Sequence, residues 1–224
     1  MKRAIAFACS LFLVLALTVP ASAEGRSALS HGSREEKRIA LTFDDGPHPR
    51  YTPKILELLD KYKLKATFFM IGSNARLYPD TARAVKAAGH EIGNHTYKHP
   101  HMLRIGEGEL YKEIKETECV FSEIGLDKPT LFRPPEGYRT KEQCSLLEKE
   151  GYHVVVWSLD THDWKGTSAE EIVRYVTSNV KGGDIILFHD YISGQNTTIA
   201  ALEQLIPRLL KDGYKFVSVS ELCL

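Results

Sequence analysis

The sequence predicts an α/β fold in which about seven parallel strands close as a (β/α) barrel in one domain. Three observations carry that prediction. From Arg38 onward, short β-branched or aromatic runs alternate with longer stretches of helical period, the pattern of βα units around a mostly parallel sheet. A chain of 224 residues is long enough to bury one substantial core. Residues able to do chemistry also fall at the carboxyl ends of the runs: Asp44 and Asp45 after the first, His95 after the third, Arg133 closing the fourth, Asp160 and Asp163 after the fifth, and His189 after the sixth. In a parallel barrel those ends converge on one rim, whereas an open doubly wound sheet, which periodicity alone does not exclude, gathers them at one switch point.

The first strand is expected over residues 38–43, stopped by the Asp44-Asp45-Gly46-Pro47 turn, and Thr52 followed by Pro53 reads as the cap and first position of a helix. The second and third strands are expected over 66–71 and 90–93, separated by a helix that stops at Gly89. After a helix ending at Gly125 comes a short fourth strand over 131–133. Thr140 with Gln143 fits a capping box, in which each side chain satisfies the other's free amide, and that helix stops at Gly151 before a fifth strand over 153–157. A second box, Ser168 with Glu171, opens the helix that leads to a sixth strand over 184–188; the seventh is expected over 215–219.

Ahead of this core, Lys2 and Arg3, an apolar run over 4–19 and Ala21-Ser22-Ala23 have the order of a secretory signal peptide spanning 1–23. An uncleaved membrane anchor is the alternative, and the run is short for a comfortable span. The expected body of the protein therefore works outside the cytoplasm, in the extracellular space or cell wall, with no stable membrane insertion after cleavage. Residues 24–37 lack periodicity and read as a flexible lead-in to a domain over 38–224.

Lys plus Arg and Asp plus Glu are both 29, so no basic field favours nucleic acid. Cys9 lies in the leader; Cys119, Cys144 and Cys223 are too widely spaced for a thiolate metal site and argue for core packing or at most one bridge. Oligomeric state is not legible.

Two adjacent carboxylates before a forced turn, Asp44 and Asp45, can divide labour, one binding a metal while the other handles a proton. His95 and His99 are four apart, so one helical turn would bring both rings onto one face, although Pro100 pushes His99 away from helical geometry. An Asp-His-His set leaves a coordination position free for water, the arrangement of a catalytic site. Such a metal acidifies water and polarises a carbonyl, which suits amide or ester hydrolysis. His48 and His101 read as surface or rim residues, and the Asn196-Thr197-Thr198 sequon is given no function.

Thr42-Phe43-Asp44-Asp45-Gly46-Pro47, the stretch from His95 to His99, Arg133-Pro134-Pro135-Glu136-Gly137, the stretch from Trp157 through Asp160 to Asp163-Trp164, and Leu187-Phe188-His189 resemble, in order, the five motifs of the NodB-homology polysaccharide deacetylases, carbohydrate esterase family 4. The resemblance runs from Arg38 to Leu224. It implies a distorted (β/α) barrel and removal of acetyl groups from N-acetylated sugars. It implies a divalent metal, zinc first and cobalt or another divalent ion otherwise, on Asp45, His95 and His99. By the same resemblance Asp44 is the general base and His189 the general acid, Arg133 tunes Asp44 and Asp163 tunes His189. The backbone amide of Glu136 is the oxyanion donor, and Pro135, Trp164 and Leu187 belong to the substrate pocket. The expected partner is an N-acetylated glycan of the cell envelope, peptidoglycan first and chitin oligomers second. An acetylxylan-type O-acetyl esterase and an inactive glycan-binding member are the alternatives.

Glu136 departs from the family pattern, which commonly has an aromatic residue there. The side chain, and with it the wall of the sugar site, is what changes. A carboxylate at that point is expected to favour N-acetylglucosamine over N-acetylmuramic residues with a free lactyl acid.

Overall fold

The computed structural model describes residues 28–192 and 197–224; the leader, the start of the lead-in and Asn196 lie outside the described residues. Strands β1 (Arg38–Asp44), β2 (Thr67–Met70), β3 (Glu91–Asn94), β4 (Leu131–Phe132), β5 (His153–Val154), β6 (Leu159–Asp160), β7 (Ile185–His189) and β8 (Lys215–Phe216) form one sheet. Helices α1 (Tyr51–Lys61), α2 (Gly72–Leu77), α3 (Pro79–Ala87), α4 (Glu107–Glu123), α5 (Lys141–Lys149), α6 (Ala169–Asn179), α7 (Thr198–Lys211) and α8 (Val219–Cys223) surround it.

The strands run β5-β4-β3-β2-β1-β7-β6, all paired in parallel, with β8 beside the start of β1. The sheet therefore curls outward from β1 in both directions as a distorted half-barrel. Buried on both faces, β1 reads as a continuous apolar run until Asp44, as a central parallel strand must. Phe43 stacks on Phe68 at 4.9 Å and on Phe188 at 6.0 Å, so neighbouring strands share one aromatic layer. Register places Asp44 opposite His189, and the same pairing brings the ends of β1 and β7 to one rim.

Four local expectations are revised. The strand expected over 153–157 is only two residues long, and β6, not anticipated, follows it at Leu159–Asp160, carrying Asp160 to the end of a strand of its own. The final run over 215–219 breaks at Ser218, whose hydroxyl and Glu221 form a capping box that starts α8. Helix α1 begins at Tyr51, ahead of Thr52, because His48 Nδ1 accepts the Arg50 and Tyr51 N–H groups at 3.1 and 3.2 Å. The boxes of Thr140 with Gln143 and Ser168 with Glu171 are present as expected, and Gly89, Gly125 and Gly151 have positive φ.

The fourth revision concerns the lead-in, which from residue 28 is docked. The Leu29 N–H donates to the Val154 carbonyl and the Val156 N–H to the Leu29 carbonyl, both at 2.8 Å, continuing the sheet beyond β5. Arg34 pairs with the buried Asp184. Gly182 lets this segment pass: a Cβ there would lie 2.1 Å from the Glu36 carbonyl oxygen. Edge pairing and an ion pair between an exposed arginine and a buried aspartate supply an order that composition did not reveal.

Cys119, Cys144 and Cys223 are all free thiols. Among the described residues no helix is long and apolar enough to cross a membrane.

Candidate active site

Asp44 ends β1 in a buried position, and its partner comes from the residue after β4. Arg133 Nη1 donates to Asp44 Oδ1 and to Thr42 Oγ1, each at 2.7 Å, while Nη2 donates to the Val156 carbonyl at 3.2 Å. The guanidinium lies 4.1 Å from the Phe69 ring centroid, so an entirely buried cation is hydrogen-bonded to a carboxylate and packed against an aromatic ring.

Asp45 follows with φ of 73°, which turns its side chain away from that of Asp44 toward two imidazoles. Asp45 Oδ1 lies 3.4 Å from His95 Nε2 and 3.4 Å from His99 Nε2. One ligand atom from each residue falls within 4.8 Å of the others. Oδ1 is buried without a hydrogen-bond partner in the structure. A buried, unpartnered carboxylate oxygen between two ring nitrogens fits a bound cation. His95 Nδ1 donates to the Arg133 carbonyl at 2.7 Å, and because a carbonyl only accepts, the neutral ring keeps its Nε2 lone pair facing Asp45.

The two histidines do not share a helical turn. Thr96 and His99 have φ of 68° and 55°, and residues 95–99 form an irregular loop. Side chains from elsewhere hold it. Asn94 Oδ1 accepts the Thr96 N–H at 2.8 Å, and Thr96 Oγ1 accepts the His99 N–H at 3.0 Å. Glu113 of α4 accepts the consecutive Tyr97 and Lys98 N–H groups on Oε2 at 2.8 and 2.7 Å. From the opposite side, the Gly72 and Ser73 N–H groups at the start of α2 donate to the Thr96 and Tyr97 carbonyls at 2.9 and 3.0 Å.

His189 ends β7 opposite Asp44. Its Nδ1–H donates to Asp163 Oδ1 and its backbone N–H to Asp163 Oδ2, each at 2.8 Å, while the Thr198 hydroxyl donates to Oδ2 at 2.7 Å. Burial works against a charged ring, but the Asp163 hydrogen bond and charge outweigh it and raise the imidazole to about 9. Next in the chain, Asp190 is buried, accepts a hydrogen bond from the Thr52 hydroxyl on Oδ2 at 2.5 Å and packs against Gly46, where a Cβ would lie against Asp190 Oδ1. The glycine of the Asp-Asp-Gly-Pro turn thus leaves room for the Asp190 carboxylate, which directly follows β7.

These groups open into one pocket of about 490 Å³ lined by Asp44, Asp45, His95, His99, Glu136, Tyr138, Trp157, Asp160, Trp164, Leu187 and His189. Arg133, Asp163 and Pro135 are buried and do not line it; Pro135, expected in the substrate pocket, instead opens the short 3₁₀ turn Pro135–Gly137 that carries Glu136. Glu136 sits on the rim with φ of 57°, its carboxylate 3.7 Å from His101 Nε2, and His101 in turn stacks on Tyr138 at 5.3 Å. The Gly137 and Tyr138 N–H groups close the turn on the Pro134 and Pro135 carbonyls, so the turn does not use the Glu136 amide.

Sequence reasoning did not find Glu113, Asn94 and Tyr138. Only Asn94 carries a local signal, as a polar residue at the end of a strand and next to His95.

A family profile described as polysaccharide deacetylase matches residues 31–155, a span that holds the Asp-Asp, His-His and Arg-Pro-Pro segments. A peptidoglycan-N-acetylglucosamine deacetylase of Bacillus cereus is 44% identical over 189 residues, which are 84% of this chain and 88% of that protein. A chitooligosaccharide deacetylase of Azorhizobium caulinodans is 34% identical over 194 residues, covering 81% of this chain and 92% of its own. Among solved structures, the Bc1960 peptidoglycan N-acetylglucosamine deacetylase in complex with 4-naphthalen-1-yl-N-oxidanyl-benzamide superposes with a TM-score of 0.84 at 36% identity, covering 87% of this chain and 91% of that chain.

Proposed function

This chain belongs to the polysaccharide deacetylase family, and from that premise we propose that it is an exported, metal-dependent hydrolase. It removes N-acetyl groups from N-acetylglucosamine residues of a cell-envelope glycan, peptidoglycan first and chitin oligomers second. The observation that carries this reading is one pocket in which an Asp45-His95-His99 set, an arginine-held carboxylate and a carboxylate-held imidazole all face the same space. Two imidazole nitrogens and one carboxylate oxygen suit zinc and leave a position open. When bound, the cation supplies Lewis-acid polarisation of the acetamide and a more acidic water.

The remaining steps are the work of side chains. Asp44, with Oδ1 fixed by Arg133, presents Oδ2 to take a proton from the attacking water. The Glu136 backbone N–H is assigned to the oxyanion that develops on the acetamide. His189 has Nδ1 committed to Asp163, so Nε2 carries the proton that passes to the departing sugar nitrogen. An amine leaves poorly without that proton, and an imidazole raised to about 9 holds it at neutral pH. Trp164 and Leu187 wall the acetyl methyl group, and the Glu136 carboxylate disfavours a free lactyl acid beside it.

The test is acetate release from N-acetylated peptidoglycan and chitin oligomers by the mature, zinc-loaded protein, beside Asp44→Asn and Asp45→Asn. Activity should vanish in both variants, with metal content lost chiefly in Asp45→Asn. Absence of acetate from either glycan overturns the reading.

A further inference from the structure

A chain of polar side chains runs from α4 to the loop of the two histidines, and Tyr152 is its middle. Tyr152 stands just before β5, is 2% exposed, and sets its ring edge to face against Phe132 of β4 at 5.8 Å. In sheet order β4 separates β5 from β3, yet the Tyr152 hydroxyl meets the residue that ends β3: Asn94 Nδ2 donates to it at 3.1 Å. The hydroxyl gives its own proton to Glu118 Oε1 of α4 at 2.9 Å. Glu118 is held in turn by Lys115 at 2.9 Å and Lys128 at 3.3 Å.

Each link has a direction. Burial opposes the charge on Glu118, but hydrogen bonds from Lys115, Tyr152 and Lys128 hold its carboxyl below the usual range, so it only accepts. Tyr152 has one proton to give, and burial keeps it on the phenol by pushing the group well above its ordinary value. With that proton aimed at Glu118, the hydroxyl offers Asn94 a lone pair, and the amide must answer with its nitrogen. Nδ2 also reaches the Ile114 carbonyl at 3.5 Å, a contact too long to set the orientation by itself. The Asn94 oxygen is thereby left facing the loop, where it accepts the Thr96 N–H at 2.8 Å.

That bond falls where the loop most needs an outside hold. Thr96 is β-branched and has φ of 68°, a region such residues rarely enter. Its Oγ1 then accepts the His99 N–H at 3.0 Å, which links the Asn94 amide to the second imidazole. Packing against Phe132 asks only for an aromatic ring at 152; the hydroxyl adds a direction to the amide.

We propose that Tyr152 is a positioning residue for the metal site: directed by Glu118, its hydroxyl turns the Asn94 amide oxygen to the loop and so sets how His95 and His99 meet Asp45. This rests on the reading of Asp45, His95 and His99 as a metal site.

The test is zinc affinity of the metal-stripped protein, read by competition with a coloured chelator, beside its unfolding in urea. Tyr152→Phe keeps the ring and should bind zinc about fivefold more weakly, a smaller loss than the 10- to 100-fold of a group one bond from the ligands. Asn94→Ala should lose about 10- to 100-fold, and adding Tyr152→Phe to it should cost nothing more, because the hydroxyl acts only through that amide. Zinc bound equally by the native protein and Tyr152→Phe, even if the variant unfolds earlier, overturns the proposal and leaves the metal site standing. The same fivefold loss appearing again in the double variant also overturns it. If the native protein binds no zinc, the metal reading fails and the proposal with it.

Discussion

Asp163 holds His189 at two points, accepting its backbone N–H on Oδ2 and its Nδ1–H on Oδ1, each at 2.8 Å. One carboxylate thereby fixes where the strand ends, which way the ring faces and which nitrogen is left for chemistry. Its charge also keeps the ring protonated up to about pH 9.

Asp163→Asn removes the charge and keeps the shape. The His189 imidazole should then fall toward its ordinary value near 6.5. Because the reaction needs the protonated ring, the alkaline limb of the kcat profile should move to lower pH, with a loss at pH 8 of about 10- to 100-fold. A profile with its alkaline limb unmoved would show that His189 is not the acid.

Arg133 and Asp44 form an ion pair that is buried on both sides. Arg133→Met leaves a carboxylate in the core without a partner, which should cost about 3–5 kcal/mol in urea unfolding. Arg133→Lys should recover little, since one ammonium cannot reach Thr42, Asp44 and the Val156 carbonyl as the fork does.

Glu113 shapes the loop of the two histidines through backbone alone, accepting the Tyr97 and Lys98 N–H groups. Glu113→Ala should lower divalent-metal affinity by about 10- to 100-fold, read by competition with a coloured chelator. Glu113→Gln retains an acceptor oxygen and should lose less. Equal losses in the two variants would contradict a role through these hydrogen bonds.

His90 accepts the Ala66 N–H on Nδ1, and burial, with Lys65 nearby, lowers its imidazole to about 4. The unfolded chain takes a proton near pH 6.5 that the folded chain refuses until about 4. Its stabilising contribution is therefore present above pH 6.5 and is lost as pH falls through that window, by up to about 3 kcal/mol. Asp190, pushed up to about 7 mainly by burial, has the opposite sign, so the effect is read as a difference. His90→Gln should unfold with less penalty between pH 7 and 4.5 than the native protein.

The elements legible in the sequence are those with a local cause. A capping box needs only Thr140 and Gln143, or Ser168 and Glu171, three residues apart, and both are present. The carboxyl-end positions of Asp44, His95, Arg133 and His189 followed from apolar runs stopping beside them, and strand pairing brings those ends to one rim. The two-residue strand β6 was not legible, because its existence depends on β7 being there to accept it. How His95 and His99 come together was not legible for a related reason: four-residue spacing suits a helix and Pro100 opposes one, and it is Asn94, Glu113 and the start of α2 that satisfy the loop's backbone groups in another conformation.

By itself the sequence determined the βα alternation, the turns that end each strand, the inventory of carboxylates and imidazoles, and their order along the chain. Tertiary structure decided which polar group meets which. It gave Asp44 to Arg133 and left Asp45 to the histidines, docked the segment from residue 28 against β5, and buried Pro135. The division has a physical cause. Propensity, capping and turn chemistry act over a few residues, whereas a buried donor takes the acceptor that sheet order brings within 3 Å, and sheet order is a property of the whole chain.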